Sequence, residues 1–204
     1  ETAKNAYVDY VVKGQGLETA VDLVKAISRP LPVDGIQGIV YKRNGAVIEN
    51  PARQLVDINA YPMPRYDIVD MERYIEDACQ KGIRITNDIH FKKERAIMYT
   101  SSYVCPFRCA YCASNYVSGS RITMLKPETV GDELESLVRT FNIQLVQFID
   151  ANFFVDIERV KKICREIMKR NLNIKYALGG PRVDQVVKWD DEVLPLLRES
   201  GCIW

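Results

Sequence analysis

The 204 residues contain a single histidine, His90, so no set of imidazoles is available to build a metal site. No apolar run approaches membrane-spanning length, and no signal-peptide pattern opens the chain. There is no block of basic residues, and the formal net charge is +1, which gives no sign of a surface for nucleic acid or another polyanion. With 47% hydrophobic and 27% charged residues, the chain is too ordinary in composition for its six cysteines to form a disulfide scaffold. A reducing cytoplasm is the expected setting, where clustered thiols point to metal binding or catalysis. The chain opens on Glu1 rather than Met and closes on SGCIW, which reads as the onset of a strand; a fragment is therefore expected.

What is present divides into two stretches. YVDYVV (7–12) reads as a strand, KGQG as a turn, and Ala20, Leu23, Val24 and Ile27 recur at helical spacing after it. GIVYKRNGAVIEN predicts a hairpin turning at Asn44-Gly45 in a type I′ turn. NPARQLVDINAYPMPRYD, with its prolines, reads as an interdomain linker, and DMERYIEDACQ as a helix leading onward. From residue 95 strands and helices alternate: RAIMYTS, then a cysteine loop, the helix PETVGDELESLVRTF, LVQFID, the helix DIERVKKICREIMKR, IKYALGG, the helix DDEVLPLLRES, and CIW. Leu134, Leu137, Val138 and Phe141 share a face of the first of these helices. Ile157, Val160, Ile163, Cys164 and Ile167 share a face of the second. The alternation predicts βαβ units and does not by itself separate an open sheet from a barrel; in either, ligands gather at the carboxyl ends of the strands.

The cysteine loop lies at such an end. In YVCPFRCAYCASN, Cys105, Cys109 and Cys112 follow a C-x3-C-x2-C spacing. A structural zinc site wants four ligands, usually in paired knuckles. Here a fourth would have to come from His90 or from Cys79, Cys164 or Cys202, each standing alone in sequence, and Cys164 and Cys202 read as core packing. A four-cysteine ferredoxin cluster also lacks its thiolates. Three thiolates suit an iron–sulfur cubane whose fourth iron stays open to a ligand.

The spacing, with an aromatic at Tyr111 just before the last cysteine, resembles the radical S-adenosylmethionine superfamily. The resemblance implies a partial (β/α)6 barrel with Cys105, Cys109 and Cys112 as metal ligands. The open iron would be chelated by S-adenosylmethionine, which the reduced 4Fe–4S cluster cleaves to methionine and a 5′-deoxyadenosyl radical. It also implies Tyr111 against the adenine. FIDANF resembles the DDNF-like segment of cobalamin-binding members, so Asp150 and Asn152 are expected near S-adenosylmethionine, with Ala151 a departure from the usual acid. Asp150 capping the helix that opens near Asp156 is the alternative. In LGGPRVD, Gly179 and Gly180 would let a ligand approach the backbone and Arg182 would meet a carboxylate, or else pair with Asp184.

DYVVKGQGLETAVDLVKAI resembles the last strand and helix of the cobalamin-binding, Rossmann-like domain that precedes many such barrels. Gly14, Gln15 and Gly16 would then meet the corrin, Gln15 and Leu17 replacing the acids usual there. SSYVCP departs from the Arg-Gly usual before the first cysteine, and Tyr103 would face corrin or substrate. The implied organisation is 1–50 as the end of the cobalamin domain, 51–92 as linker and connecting helix, and 93–204 as the first part of the barrel. The implied function is a cobalamin-dependent radical methyltransferase, in which one S-adenosylmethionine remethylates cobalt and a second supplies the radical. A cyclase or rearrangement enzyme without net methylation is the alternative, and a non-catalytic iron–sulfur or zinc module a third. Expected partners are a small-molecule or natural-product substrate and an external electron donor of the flavodoxin or ferredoxin kind, with neither nucleic acid nor membrane. His90 is not expected to coordinate cobalt.

Overall fold

The computed structural model describes residues 1–84, 90–91, 93–113 and 121–204, with Ile83, Arg84, His90 and Phe91 described by their backbone alone. They divide into two units, Glu1–Val56 with Pro106–Arg121, and Asp57–Cys105 with Ile122–Trp204.

In the first unit, β1 (Tyr10–Val12) pairs antiparallel with β2 (Ile39–Arg43), and β2 with β3 (Ala46–Glu49). Asn44 and Gly45 join β2 to β3 with φ of 50° and 78°, the double positive φ that a type I′ hairpin demands. The helix α1 (Leu17–Ser28) contributes Leu23 and Ala26 to a core with Ile36, Ile39 and Tyr41. Two expectations change here. The first strand is shorter than residues 7–12, and Tyr7 lies outside it, 96% exposed. The buried face of α1 is Thr19, Leu23 and Ala26, while Val24 and Ile27 stand in solvent. The physical reason is polar: Thr19 Oγ1 donates to Gln37 O at 3.0 Å and accepts from Arg53 Nε at 2.8 Å, which sets the rotation of the helix.

The second unit begins with residues read as linker. Ile58 and Ile75 are buried in its core, with Met63, Tyr66, Met71 and Cys79 packed against it. The helix α2 (Met71–Lys81) is capped by Asp70, which accepts from Arg73 N–H at 3.2 Å. The two-residue strands β4 (Ile83–Arg84) and β5 (His90–Phe91) pair antiparallel. Then β6 (Ala96–Tyr99), β9 (Leu145–Phe148) and β10 (Lys175–Ala177) form a parallel sheet in spatial order β6-β9-β10. Two-residue strands β7 (Ser102–Tyr103) and β8 (Thr123–Met124), between β6 and β9 in the chain, pair with each other.

The helices α3 (Pro127–Phe141) and α4 (Ile157–Lys169) follow β8 and β9. Pro127 opens α3 with its φ already suited to a helix, and Asn142 closes it in the left-handed conformation, φ 50°. The apolar positions read from the sequence do face inward: Leu134, Leu137, Val160, Ile163, Cys164 and Ile167 are buried with Ile97, Tyr99, Val146, Phe148 and Tyr176 of the sheet. The opposite sheet face carries Met98 and Ile149, both exposed. After β10 come the short helices α5 (Val183–Val186) and α6 (Val193–Glu199), the second starting later than DDEVLPLLRES suggests. Cys202 then bridges Tyr176 in parallel, and Leu178 N–H donates to Trp204 O at 2.8 Å. The chain thus lays down the onset of a further parallel strand beside β10. Gly201, with φ of 102°, makes this possible, since a Cβ there would stand 2.3 Å from Ile174 O. The result is a mixed α/β fold with an open sheet rather than a closed barrel among the described residues.

Candidate functional site

The cysteine-bearing segment leaves the sheet at the carboxyl end of β6. Its two feet are joined by β7 and β8, with Ser102 opposite Met124 and Tyr103 opposite Thr123, and by Leu125 N–H donating to Ser101 O at 2.9 Å. Val104, directly before the first cysteine, has φ of 71°, in the left-handed region that β-branched residues avoid. Cys105, Cys109 and Cys112 are all half-buried. Cys112 N–H donates to Cys109 O at 3.0 Å, a tight turn ending at the last cysteine. Ser114 and Asn115, the end of the motif, lie outside the described residues. Among the described residues no three His, Cys, Asp or Glu side chains are grouped closely enough to hold a metal ion, and no disulfide forms.

The three cysteines outside the loop each have a local partner or neighbour. Cys79 Sγ donates to Glu94 O at 3.1 Å, Cys164 Sγ lies buried 3.5 Å from Tyr176 Oη, and Cys202 Sγ donates to Trp204 O at 3.6 Å. Burial also pushes the Cys202 thiol up to about 11, away from the thiolate that metal binding needs. By donor type the three loop cysteines suit three irons of a cubane, and Cys79, Cys164 and Cys202 lie outside that loop.

At the end of β9, Asp150 is buried, and its carboxylate takes hydrogen bonds from the two residues that start the loop stem. Ser101 N–H donates to Oδ2 at 3.2 Å, Ser101 Oγ donates to Oδ1 at 2.8 Å, and Ser102 Oγ also donates to Oδ1. Asp150 does not cap α4; Asp156 does, accepting from Arg159 N–H at 3.0 Å. The other foot is held by Ile58 N–H, which donates to Thr123 Oγ1 at 3.1 Å. Asn59 spans the same foot: its Nδ2 donates to Met124 O and its Oδ1 accepts from Lys126 N–H. Arg159 is buried beside Ser101; burial lowers its pKa, with the Asp150 charge opposing.

Arg159, Ser101 and Asn59 were not singled out by sequence. A signal for Arg159 existed: it precedes Ile163 and Ile167 at four-residue spacing, on the apolar ridge of a helix, where a charge needs partners.

The remaining candidates take varied positions. Tyr111 is 92% exposed, so it does not pack beneath the loop, and Tyr103 is also exposed. Asn152 is buried and caps the turn Phe153–Val155, accepting from Phe154 N–H at 3.0 Å and donating to Gln185 Oε1 at 3.1 Å. Arg182 Nε donates to Asp184 at 2.9 Å. A Cβ on Gly180 would meet nothing within 4 Å, and one on Gly179 only Asp150 O at 3.8 Å, so the protein itself demands glycine at neither. In the first unit, Gly14 has φ of 75° and Gly16 is the residue before α1. Gln15 between them is paired with the backbone of Val56, its Oε1 accepting from Val56 N–H at 2.8 Å. The His90 side chain lies outside the described residues.

Comparison with known proteins matches residues 99–204 to the Radical SAM superfamily. An uncharacterized methyltransferase of Pyrococcus horikoshii is 30% identical over 96% of the chain. An anaerobic magnesium-protoporphyrin IX monomethyl ester cyclase of Synechocystis is 26% identical over 97%. The chain spans only 39% and 36% of the length of these two relatives. Among solved structures, the cobalamin-dependent S-adenosylmethionine radical enzyme OxsB, with aqua-cobalamin and S-adenosylmethionine bound, superposes on 95% of the chain with a TM-score of 0.72 at 23% identity; the chain covers 27% of it. The radical S-adenosylmethionine methyltransferase TsrM of Kitasatospora setae, with cobalamin and a 4Fe–4S cluster bound, gives 0.65 at 21%, and the chain covers 36% of it. At these identities the two structures share the fold.

Proposed function

The chain belongs to the radical SAM superfamily, and from that footing we propose that it forms part of a cobalamin-dependent methyltransferase whose cluster is held by Cys105, Cys109 and Cys112. The observation that carries this reading is the three-thiol loop at the carboxyl end of β6, in a chain whose residues 99–204 match the Radical SAM superfamily. When bound, such a cluster supplies reductive cleavage of S-adenosylmethionine through its open iron, and a corrinoid supplies the transferable methyl group.

The chain's own residues bind and orient. The loop thiols anchor the cluster as thiolates. Asp150 fixes the start of the loop through Ser101 and Ser102, and two carboxylate oxygens offer about four acceptor sites, so it can also accept from the amine of S-adenosylmethionine. Tyr111, free of packing, is available to the adenine, and Gly179, Gly180, Asn152 and Arg182 line the neighbouring strand ends. Gly14, Gln15 and Gly16 are assigned to the corrinoid. The positive φ of Gly14 supports a close backbone approach at that turn, while the Gln15 amide already serves Val56. The expected setting is the cytoplasm, with a flavodoxin- or ferredoxin-like electron donor and a small-molecule substrate. No helix among the described residues is long and apolar enough to cross a membrane.

The relatives also include cyclases, which keeps a second reading in view. Trideuteromethyl-labelled S-adenosylmethionine separates the two. With reconstituted protein, corrinoid, reductant and candidate substrates, methyl transfer delivers the label to product. A product that has lost hydrogen and carries no label identifies the cyclase.

A further inference from the structure

Ser101 and Leu125 are the points at which the cysteine-bearing segment leaves and rejoins the strand–helix framework. Arg159, in the first turn of α4, reaches both. Its Nε–H donates to Leu125 O at 2.8 Å, and its Nη2 donates to Ser101 O and to Ser101 Oγ, each at 3.0 Å. Arg159 is only 6% exposed, and its Nη1 is buried with no partner among the described residues. Ser101 Oγ–H in turn donates to Asp150 Oδ1 at 2.8 Å, so a buried cation and a buried carboxylate meet through one serine. The lone-pair count closes: Ser101 O accepts from Leu125 N–H and from Arg159, which uses both acceptor sites of that carbonyl.

We propose that Arg159 is a positioning residue that clamps the two feet of the cysteine loop and so fixes its aim, an inference that rests on the cluster-binding role of that loop. Packing alone does not account for a guanidinium here. An aliphatic side chain would fill the space without the desolvation that a buried charge incurs. The planar fork is what spans two carbonyls and a hydroxyl at once, and an ammonium cannot reproduce it. The clamp is built from the chain's own atoms, so it operates in the metal-free protein.

Arg159→Lys keeps the charge and removes the fork. In metal-free protein, amide exchange at Leu125 should quicken by about tenfold or more, roughly 1.4 kcal/mol in local opening. Amides of β9 should keep their protection. After reconstitution, iron content should hold, while the change that S-adenosylmethionine induces in the electron paramagnetic resonance spectrum of the reduced cluster should need about tenfold more cofactor. Wild-type exchange at Leu125, or an unshifted spectroscopic titration, overturns the proposal, as does a loss of protection spread evenly over β6, β9 and β10. If Arg159→Lys does not fold, Ser101→Ala decides: it removes the hydroxyl where Arg159 and Asp150 meet, and an unshifted titration there also overturns the proposal. Failure of the wild-type protein to assemble a cluster would count against the proposed function instead, and the exchange measurement would still judge the clamp.

Discussion

Val104 is where local conformation and sequence disagree most sharply. A left-handed φ costs an L-residue roughly 1–2 kcal/mol, and a β-branched one sits at the unfavourable end. Glycine removes that cost and forfeits roughly 0.5–1 kcal/mol of chain entropy. Val104→Gly should therefore raise stability slightly, by about 0.5 kcal/mol, in a denaturant titration. A loss of stability would mean that contacts of the valine side chain outweigh its strain. At this scale the cysteines were legible because three thiols in one loop need no knowledge of the fold. Arg159, Ser101 and Asn59 were harder to find, because each acts on backbone atoms far away in sequence, and a serine or asparagine carries no periodic signal. Asp150 stands out in the sequence by its place at a strand end, but its bonds to Ser101 and Ser102 emerge only with the β6–β9 register.

At the scale of elements, hydrophobic periodicity located β6, β9, β10, α3 and α4 and most of their buried faces. It missed β7 and β8, two residues each, too short for any pattern. It misjudged the face of α1, where a hydrogen-bonded Thr19 is buried in place of Val24. A buried acid was also invisible in the α3 pattern. Glu133 is buried, accepts from Tyr99 Oη at 2.6 Å, and burial raises its pKa from its ordinary value. An acid whose folded pKa is raised binds its proton more tightly in the native state. The native state therefore loses stability as pH climbs from the ordinary carboxylate value through the raised one. Glu133→Gln retains an acceptor for Tyr99 and cannot ionise. Its unfolding midpoint relative to wild type should thus be more favourable at pH 7 than at pH 4. A difference that is flat with pH would show that Glu133 titrates normally.

At the scale of the molecule, the cysteine spacing carries the family, matched over residues 99–204, while the order of strand, GQG turn, helix, hairpin, proline-bearing segment and cysteine loop carries the expectation of a cobalamin-domain end ahead of it. The proline-bearing segment was read as a linker on composition. From Asp57 onward, however, it belongs to the second unit, because Ile58, with Met63 and Tyr66 beside it, supplies apolar surface that composition averages away. The central claim, that Cys105, Cys109 and Cys112 hold a cluster that cleaves S-adenosylmethionine, has one most direct test. The protein is reconstituted anaerobically, reduced, and given S-adenosylmethionine, and 5′-deoxyadenosine is quantified beside bound iron and sulfide for wild type, Cys109→Ala and Cys164→Ala. Wild type should hold about four iron and four sulfide and release 5′-deoxyadenosine, Cys109→Ala should do neither, and Cys164→Ala should keep both at reduced stability. Cleavage that persists without Cys109, or a wild-type protein that binds zinc and releases no 5′-deoxyadenosine, would contradict the account.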